Sequence, residues 1–453
     1  ICNINYFTSS DMKIHILGIG GTFMAGIAII AKEMGHDVTG SDTNLYDPMK
    51  TVLINNKISF TENYNSKTLD NKYDLIIVGN VMTRGMDIIE KLLDKKIPFT
   101  SGPEWLYDNV LSKKTVIAIS GTHGKTTTSS LVTHILKYAK KNPSYLIGGL
   151  PIGIKSPAKL TNSEYFVIEA DEYDTAFFDK RSKYLHYHPD VMVINNIEFD
   201  HADIFENIDA IIKNFHHVLR TMPKSGRIIY NADDGNIRKL IKKGIWSKPV
   251  SFSSSTKECD WLLEEKNNEF MLSNKSSKKK IISSLIGTHN HKNISLAIIA
   301  SLQAGVSLVN CLKAIKTFKG VKRRMELVGS YKTIKIYDDF AHHPTEIESS
   351  IASLRKNFPN KKILAICEIK SNSMISGAHR LNLSKTLNKA HRSIIVKSRL
   401  VKWSLSNKNH KINTIETYDK IKEYIDDNLD NIDIMLIMSN KSTVELRETI
   451  KNG

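Results

Sequence analysis

The stretch Thr115-Val-Ile-Ala-Ile-Ser-Gly-Thr-His-Gly-Lys-Thr-Thr-Thr128 constrains this chain more than any other. It begins as a β-branched apolar run, the pattern of a buried strand. It turns through Gly121 and Gly124 and continues as Ser129-Ser-Leu-Val-Thr-His-Ile-Leu136, which has a helical pattern. Strand, glycine turn and helix together aim backbone N–H groups and the positive end of a helix at one point, where a phosphate fits. In such a loop the lysine reaches the β- and γ-phosphates and the next hydroxyl holds Mg²⁺. Here those residues are Lys125 and Thr126. The loop is the short form Gly-x-x-Gly-Lys-Thr-Thr, because Ile119 stands where the longer pattern has its first glycine. A surface turn rich in Thr and Gly would not need strand, glycines, lysine and threonine in register.

A chain of 453 residues has room for roughly three domains of about 150 residues each. Its 41% hydrophobic and 25% charged content is that of a globular protein. It has no run of ~18 apolar residues, so no membrane span is expected. The N-terminus lacks a charged segment followed by an apolar core, so no secretory signal is expected either. Residues 1–11 read as an appendage and Met12 as the expected start. The 4 cysteines show no paired spacing, which points to a reducing cytoplasm and away from zinc or a disulfide framework. The net charge of +17 raises nucleic acid as a partner, but the lysines are spread along the chain. Only Asn274-Lys-Ser-Ser-Lys-Lys-Lys280 is concentrated, and it reads as a solvated loop. The charge instead favours anionic, phosphate-bearing substrates, with no nucleic acid and no membrane among the expected partners.

Ahead of the phosphate loop, Lys13-Ile-His-Ile-Leu-Gly18 reads as a strand and Thr22 to Met34 as a helix, with Gly20 and Gly21 between them. A second strand ends at Ser41-Asp42. This is a Rossmann-like start, in which phosphates sit on a helix N-terminus and Asp42 could meet a ribose. A dinucleotide enzyme is a rival at this point. Asp74 to Gly79 is a further strand, delivering Asn80 to the edge where ligands bind in such sheets. After the phosphate loop, Tyr165-Phe-Val-Ile-Glu169 and Val191-Met-Val-Ile-Asn-Asn196 both lead from apolar strands into acids. The first ends in Glu169, Asp171, Glu172 and Asp174; the second in Glu198, Asp200 and His201. One acid alone is usually a solvated loop residue. Two such strands beside a phosphate loop indicate a metal and phosphate site. Gly287-Thr-His-Asn-His-Lys-Asn293 opens a helix, and Asn290 and Asn293 offer amides suited to an adenine edge. Arg323 and Arg324 provide paired guanidinium groups for γ-phosphate charge. Ile334 to Pro344 gives strand, acids, histidines and a helix with proline at its start. Lys362 to Glu368 is a strand feeding Lys370, Ser371 and Asn372, and Ile432 to Met438 is the last. Strands alternating with helices throughout predict an α/β protein of parallel, doubly wound sheets.

Together, Gly-Thr-His-Gly-Lys-Thr-Thr, Asn-Ile-Glu-x-Asp-His, His-Asn-x-x-Asn and Asp-Asp-x-x-His-His-Pro occur in an order that resembles the Mur ligase family, the ATP-dependent amino-acid ligases of bacterial cell-wall synthesis. The resemblance runs from Met12 to about Asn440. It implies three α/β domains: a Rossmann-like UDP-sugar domain over 12–110, a central ATP-binding domain over 111–318 and a C-terminal Rossmann-like domain over 319–453. UDP-sugar would sit at Gly18, Gly20, Gly21, Thr22, Asp42 and Asn80. ATP would sit at Gly121, Thr122, His123, Gly124, Lys125, Thr126, Thr127, Asn290, Asn293, Arg324, Asp339 and His342. Thr126, Glu169 and His201 would hold Mg²⁺, and Lys125, Glu169, His201 and Arg324 would carry the chemistry. Lys370, Ser371 and Asn372 would meet the incoming amine. Gly21-Thr-Phe-Met24, Asn80 to Gly85, Ser101 to Leu106 and Glu169 to Ser182 look most like the members acting in murein recycling. Those members join UDP-N-acetylmuramate to the tripeptide L-alanyl-γ-D-glutamyl-meso-diaminopimelate through an acyl phosphate. Sister ligases add L-alanine instead, and a nucleotide binder that has lost ligation is a third possibility. The resemblance also implies a cytoplasmic monomer. Two departures fall where the peptide should bind. Ile369-Lys370 replaces the Pro-Arg of the recycling members, and Lys441-Ser-Thr-Val-Glu-Leu446 replaces a glycine-rich loop.

Overall fold

A computed structural model describes residues 11–452 apart from 201–203, 268 and 405–410. It has three main sheets. In the first the spatial order is Ser59–Thr61, Asp37–Ser41, Lys13–Leu17, Leu75–Val78, Phe99–Ser101, and every pairing is parallel. The strand Leu75-Ile-Ile-Val78 is buried throughout, as a continuous apolar run must be when helices cover both faces. Strand order reverses between Lys13–Leu17 and Leu75–Val78, so the loops after these two strands flank the crevice where such sheets bind ligands.

The middle sheet has ten strands, in the order Ser277–Ile281, Glu269–Asn274, Trp261–Lys266, Lys248–Ser253, Arg227–Asn231, Val191–Ile194, Thr115–Ser120, Tyr165–Glu169, Ser144–Leu146, Ala158–Lys159. Its centre is parallel, and its ends are not. The expectation of purely parallel sheets is corrected here. Glu269–Asn274 and Ser277–Ile281 are joined by a turn too short for a parallel crossover, so they pair as a hairpin. The lysine run at 278–280 lies on the outer strand of that hairpin, exposed, and not in a loop. Lysines on an edge strand discourage pairing with other chains.

The third sheet runs Glu326–Tyr331, Ile334–Asp339, Ile434–Met438, Ile363–Glu368, Arg392–Val396, Ile412–Ile415, parallel except for the first strand. One apolar cluster is continuous from Ile14 and Ile27 in the first domain to Phe166 and Leu240 in the middle one. At their contact the first-domain helix Thr22–Glu33 lies so close that a Cβ on Gly26 would be 3.0 Å from Leu146. Among the described residues no helix is long and apolar enough to cross a membrane.

Candidate active site

Parallel strands bring their C-terminal ends to one edge. At the centre of the middle sheet that edge collects the phosphate loop, Glu169 and Asn195-Asn196 from three adjacent strands. Gly124 has φ +81°, and a Cβ there would lie 2.4 Å from Asn293 Oδ1 and 2.8 Å from Asn195 Nδ2. The helix Lys125–Tyr138 starts directly after it. Lys125 Nζ curls back over the loop, donating to Gly121 O at 2.8 Å and Glu172 Oε2 at 3.0 Å, with Asp171 Oδ1 at 3.5 Å. Burial works against its charge, but Glu172, Asp171 and Glu169 outweigh it and keep the ammonium protonated. Thr126 Oγ1 donates to Glu169 Oε1 at 3.1 Å, and Gly148 N–H donates to Glu169 Oε2 at 2.8 Å. Burial pushes the Glu169 carboxyl up despite the pull of Lys125.

A hydroxyl beside a half-buried carboxylate is an oxygen donor set that fits Mg²⁺. The space is kept open by Gly148, whose Cβ would stand 2.7 Å from Glu169 Oε1. His201, expected at the same metal, lies outside the described residues. From the C-terminal domain Arg324 reaches across, its Nη2 donating to Thr126 Oγ1 at 3.2 Å and its guanidinium lying 4.8 Å from the centre of the Phe340 ring. Arg323, expected to pair with it, does not. The backbone takes positive φ at Arg323 (58°) and Met325 (54°), and although both guanidinium groups lie near the Phe340 ring, at 5.3 and 4.8 Å from its centre, their hydrogen-bond partners differ. Arg323 instead donates to the carbonyls of Ser439 and Lys441.

A cavity of about 340 Å³ opens beside this loop, lined by His123, Gly124, Thr127, Asn290, Asn293 and Asp339 among others. Asn290 already donates to Ile286 O at 2.8 Å, so only part of its amide remains for a base. The Asp339 carboxylate accepts from Ala341 N and Ser350 Oγ, and burial pushes it up to about 6 against the pull of Arg324. The walls also include Asn195, Asn231, Asp233 and His289, which the sequence reading passed over. The signal for two of them was present, since Asn231-Ala-Asp-Asp234 also follows a strand end at the same sheet edge. Asn196 ties the loop to the sheet, its Oδ1 accepting from His123 N at 2.8 Å.

A second cavity, of about 180 Å³, is lined by Tyr173, Asp200, His342, Lys370, Ser371, Asn372, Ser373, Asn440 and Lys441. His342, expected beside the ribose, therefore faces this cavity, and only Asp339 of the pair lines the first. The cause is the turn after Asp339, in which His342 Nδ1 packs back toward Phe340 O and Glu346. Lys370 Nζ stands 3.5 Å from Glu368 Oε1, which also accepts from Tyr418 OH at 2.6 Å.

In the first domain Gly18 has φ +83°, and Gly21 precedes the helix beginning at Thr22. Asp42 is buried, its two oxygens accepting from Gly20 N at 2.8 Å and Asn44 N at 2.9 Å. It therefore latches the glycine loop. Asn80 follows Gly79 at the switch point, partly exposed.

The Mur ligase middle domain profile matches residues 119–301. Profiles of the Mur ligase family catalytic domain and of the Mur ligase glutamate ligase domain match 13–114 and 323–440. The chain belongs to the Mur ligase family. It is 42% identical over 397 residues, 87% of each chain, to the UDP-N-acetylmuramate–L-alanyl-γ-D-glutamyl-meso-2,6-diaminoheptandioate ligase of Escherichia coli K12. It is 33% identical over 373 residues, 78% of this chain and 77% of the other, to the UDP-N-acetylmuramate–L-alanine ligase of Aquifex aeolicus. Among solved structures it resembles a murein peptide ligase from Psychrobacter arcticus, with TM-score 0.77, 36% identity and coverage of 97% and 98% of the two chains.

Proposed function

We propose that this Mur ligase joins UDP-N-acetylmuramate to the tripeptide L-alanyl-γ-D-glutamyl-meso-diaminopimelate at the expense of ATP. The observation that carries the reading is the pairing of two cavities across one edge. One is walled by the phosphate loop and Arg324, the other by Lys370 and Lys441, whose cations suit an acceptor rich in carboxylates. Relatives that carry this activity in their names are more similar to the chain than those that add L-alanine.

A carboxylate is a poor electrophile, so the lactyl carboxylate first takes the γ-phosphoryl group of ATP. Lys125 and Arg324 neutralise charge on that group as it transfers. Mg²⁺, held by Thr126 and Glu169, would supply further charge neutralisation on the phosphate oxygens. The peptide amine, oriented from the second cavity, then attacks the acyl carbon, and the tetrahedral intermediate collapses with loss of phosphate. The first-domain crevice around Gly18, Gly20, Gly21, Thr22 and Asn80 would hold the UDP group, with Asp42 fixing the loop from behind. Residues 12–110, 111–318 and 319–453 are the proposed domain limits, and the site requires them to close on one another.

The test is phosphate release from ATP, Mg²⁺ and UDP-N-acetylmuramate with the tripeptide, with L-alanine, and with no amine. Release only with tripeptide is expected. Release with L-alanine would move the chain to the sister reaction, which the changes at Ile369-Lys370 and after Asn440 keep in view. Absence of release with intact nucleotide binding would make it a binder that has lost ligation.

A further inference from the structure

A further set of donors lies at the seam between the middle and C-terminal domains, on the rim of the larger cavity, and the ligation chemistry above uses none of its imidazole nitrogens. His123, Glu198 and His343 each present a ligand atom, and these atoms lie within 4.8 Å of one another. Glu198 Oε2 is 3.5 Å from His123 Nε2 and 3.7 Å from His343 Nδ1. Donors on a tetrahedral ion with bonds of about 2.0–2.2 Å stand about 3.3–3.6 Å apart, so the two carboxylate–imidazole separations are close to that spacing, and the imidazole pair, within 4.8 Å, closes by at most about 1.5 Å. His123 Nε2 is buried without a hydrogen-bond partner among the described residues. Its other nitrogen, Nδ1, faces Glu346 Oε1 at 3.2 Å. A carboxylate behind the far nitrogen is what fixes the tautomer and orientation of metal-binding histidines.

Two imidazoles and one carboxylate select zinc-type ions over Mg²⁺, which prefers oxygen alone. We propose that His123, Glu198 and His343 form a site for a borderline divalent ion, Zn²⁺ or Co²⁺, that ties the C-terminal domain to the phosphate loop. His123 and Glu198 come from the middle domain and His343 from the C-terminal one, so an ion bound by all three staples the closed arrangement. Such an ion acts as an inhibitor, because turnover requires the domains to part. In the metal-free chain a protonated His123 is held between Glu198 and Glu346, so an ion must displace that proton, and the competing outcome is that it cannot.

Co²⁺ titrated into the full chain without nucleotide distinguishes the two, because tetrahedral Co²⁺ absorbs strongly in the visible. The expected result is one equivalent with intense bands that Zn²⁺ abolishes. His343→Asn is the main variant. His343 Nδ1 caps the helix Pro344–Asn357 by accepting from Thr345 N at 3.4 Å, a long contact whose lone pair the ion would take, and asparagine is also a favoured cap, so the variant keeps the helix start. This variant should lose the bands and bind Co²⁺ at least about tenfold more weakly, the range seen when a metal site loses a supporting group. Glu198→Gln should do the same, which guards against a folding defect in the first variant. Glu169→Gln, at the oxygen donor set, should leave the bands unchanged. Absence of bands in the unaltered protein, or bands that survive both His343→Asn and Glu198→Gln, overturns the site.

Discussion

Gly124→Ala isolates what the phosphate loop requires of its backbone. At φ +81° an alanine costs about 1–2 kcal/mol in local strain. Its Cβ would also stand 2.4 Å from Asn293 Oδ1 and 2.8 Å from Asn195 Nδ2, closer than atoms pack, so both amides must move. Both line the larger cavity. Gly305→Ala is the matched control, since Gly305 has φ +73° and nothing within 4 Å of its would-be Cβ. The two variants carry a similar backbone cost, and only the first displaces cavity walls. Thermal melting should therefore show Gly305→Ala destabilised by about 1–2 kcal/mol, and Gly124→Ala by at least as much. Calorimetry with a non-hydrolysable ATP analogue should separate them. Gly305→Ala keeps the affinity of the unaltered chain, whereas Gly124→Ala weakens it at least about tenfold, equivalent to ~1.4 kcal/mol. Equal affinity in the two variants would refute the assignment of this cavity to the nucleotide.

Arg324→Ala should lower kcat by about 10²–10³ with a smaller effect on tripeptide KM, since its guanidinium meets the site at Thr126. Arg324→Lys should recover only part of that, lacking the planar fork. Lys125→Ala should abolish turnover while UDP-sugar binding survives, because Lys125 opens a helix beside the middle sheet and the glycine crevice lies at the first; loss of both would refute that separation. Lys370→Ala should raise tripeptide KM by about tenfold, or ~1.4 kcal/mol, and leave the KM for ATP unchanged. His123 is pulled down by burial, but Glu346 and Glu198 outweigh that and raise it to about 9. Its folded value lies above its free one, so the stabilisation is complete below about pH 6.5 and is lost as pH rises toward 9. Melting temperature should fall across that window in the unaltered chain and run flatter in His123→Gln.

What the sequence determined is local and periodic. The run Thr115–Ser120 had to be a buried strand, and Gly121 and Gly124 had to turn, because only glycine takes those φ values without strain. Acids following the apolar runs at Glu169 and Glu198 had to collect at one edge once the strands were parallel. The family followed from motif order alone. Tertiary structure decided everything that depends on where a side chain turns after leaving its strand. Arg323 and Arg324 are neighbours in sequence, yet one donates to the Ser439 carbonyl and the other to Thr126. Asp339 and His342 line different cavities because the chain turns between them. Asp42 also holds the glycine loop by accepting from Gly20 N–H, a contact set by how the loop folds back. The lysine run at 278–280 carried no sign of its strand, since an exposed edge takes charge on both faces and shows no alternation. His123 and Glu198, from one domain, meet His343 and Glu346 from another, a contact between residues far apart in the chain that no local pattern encodes.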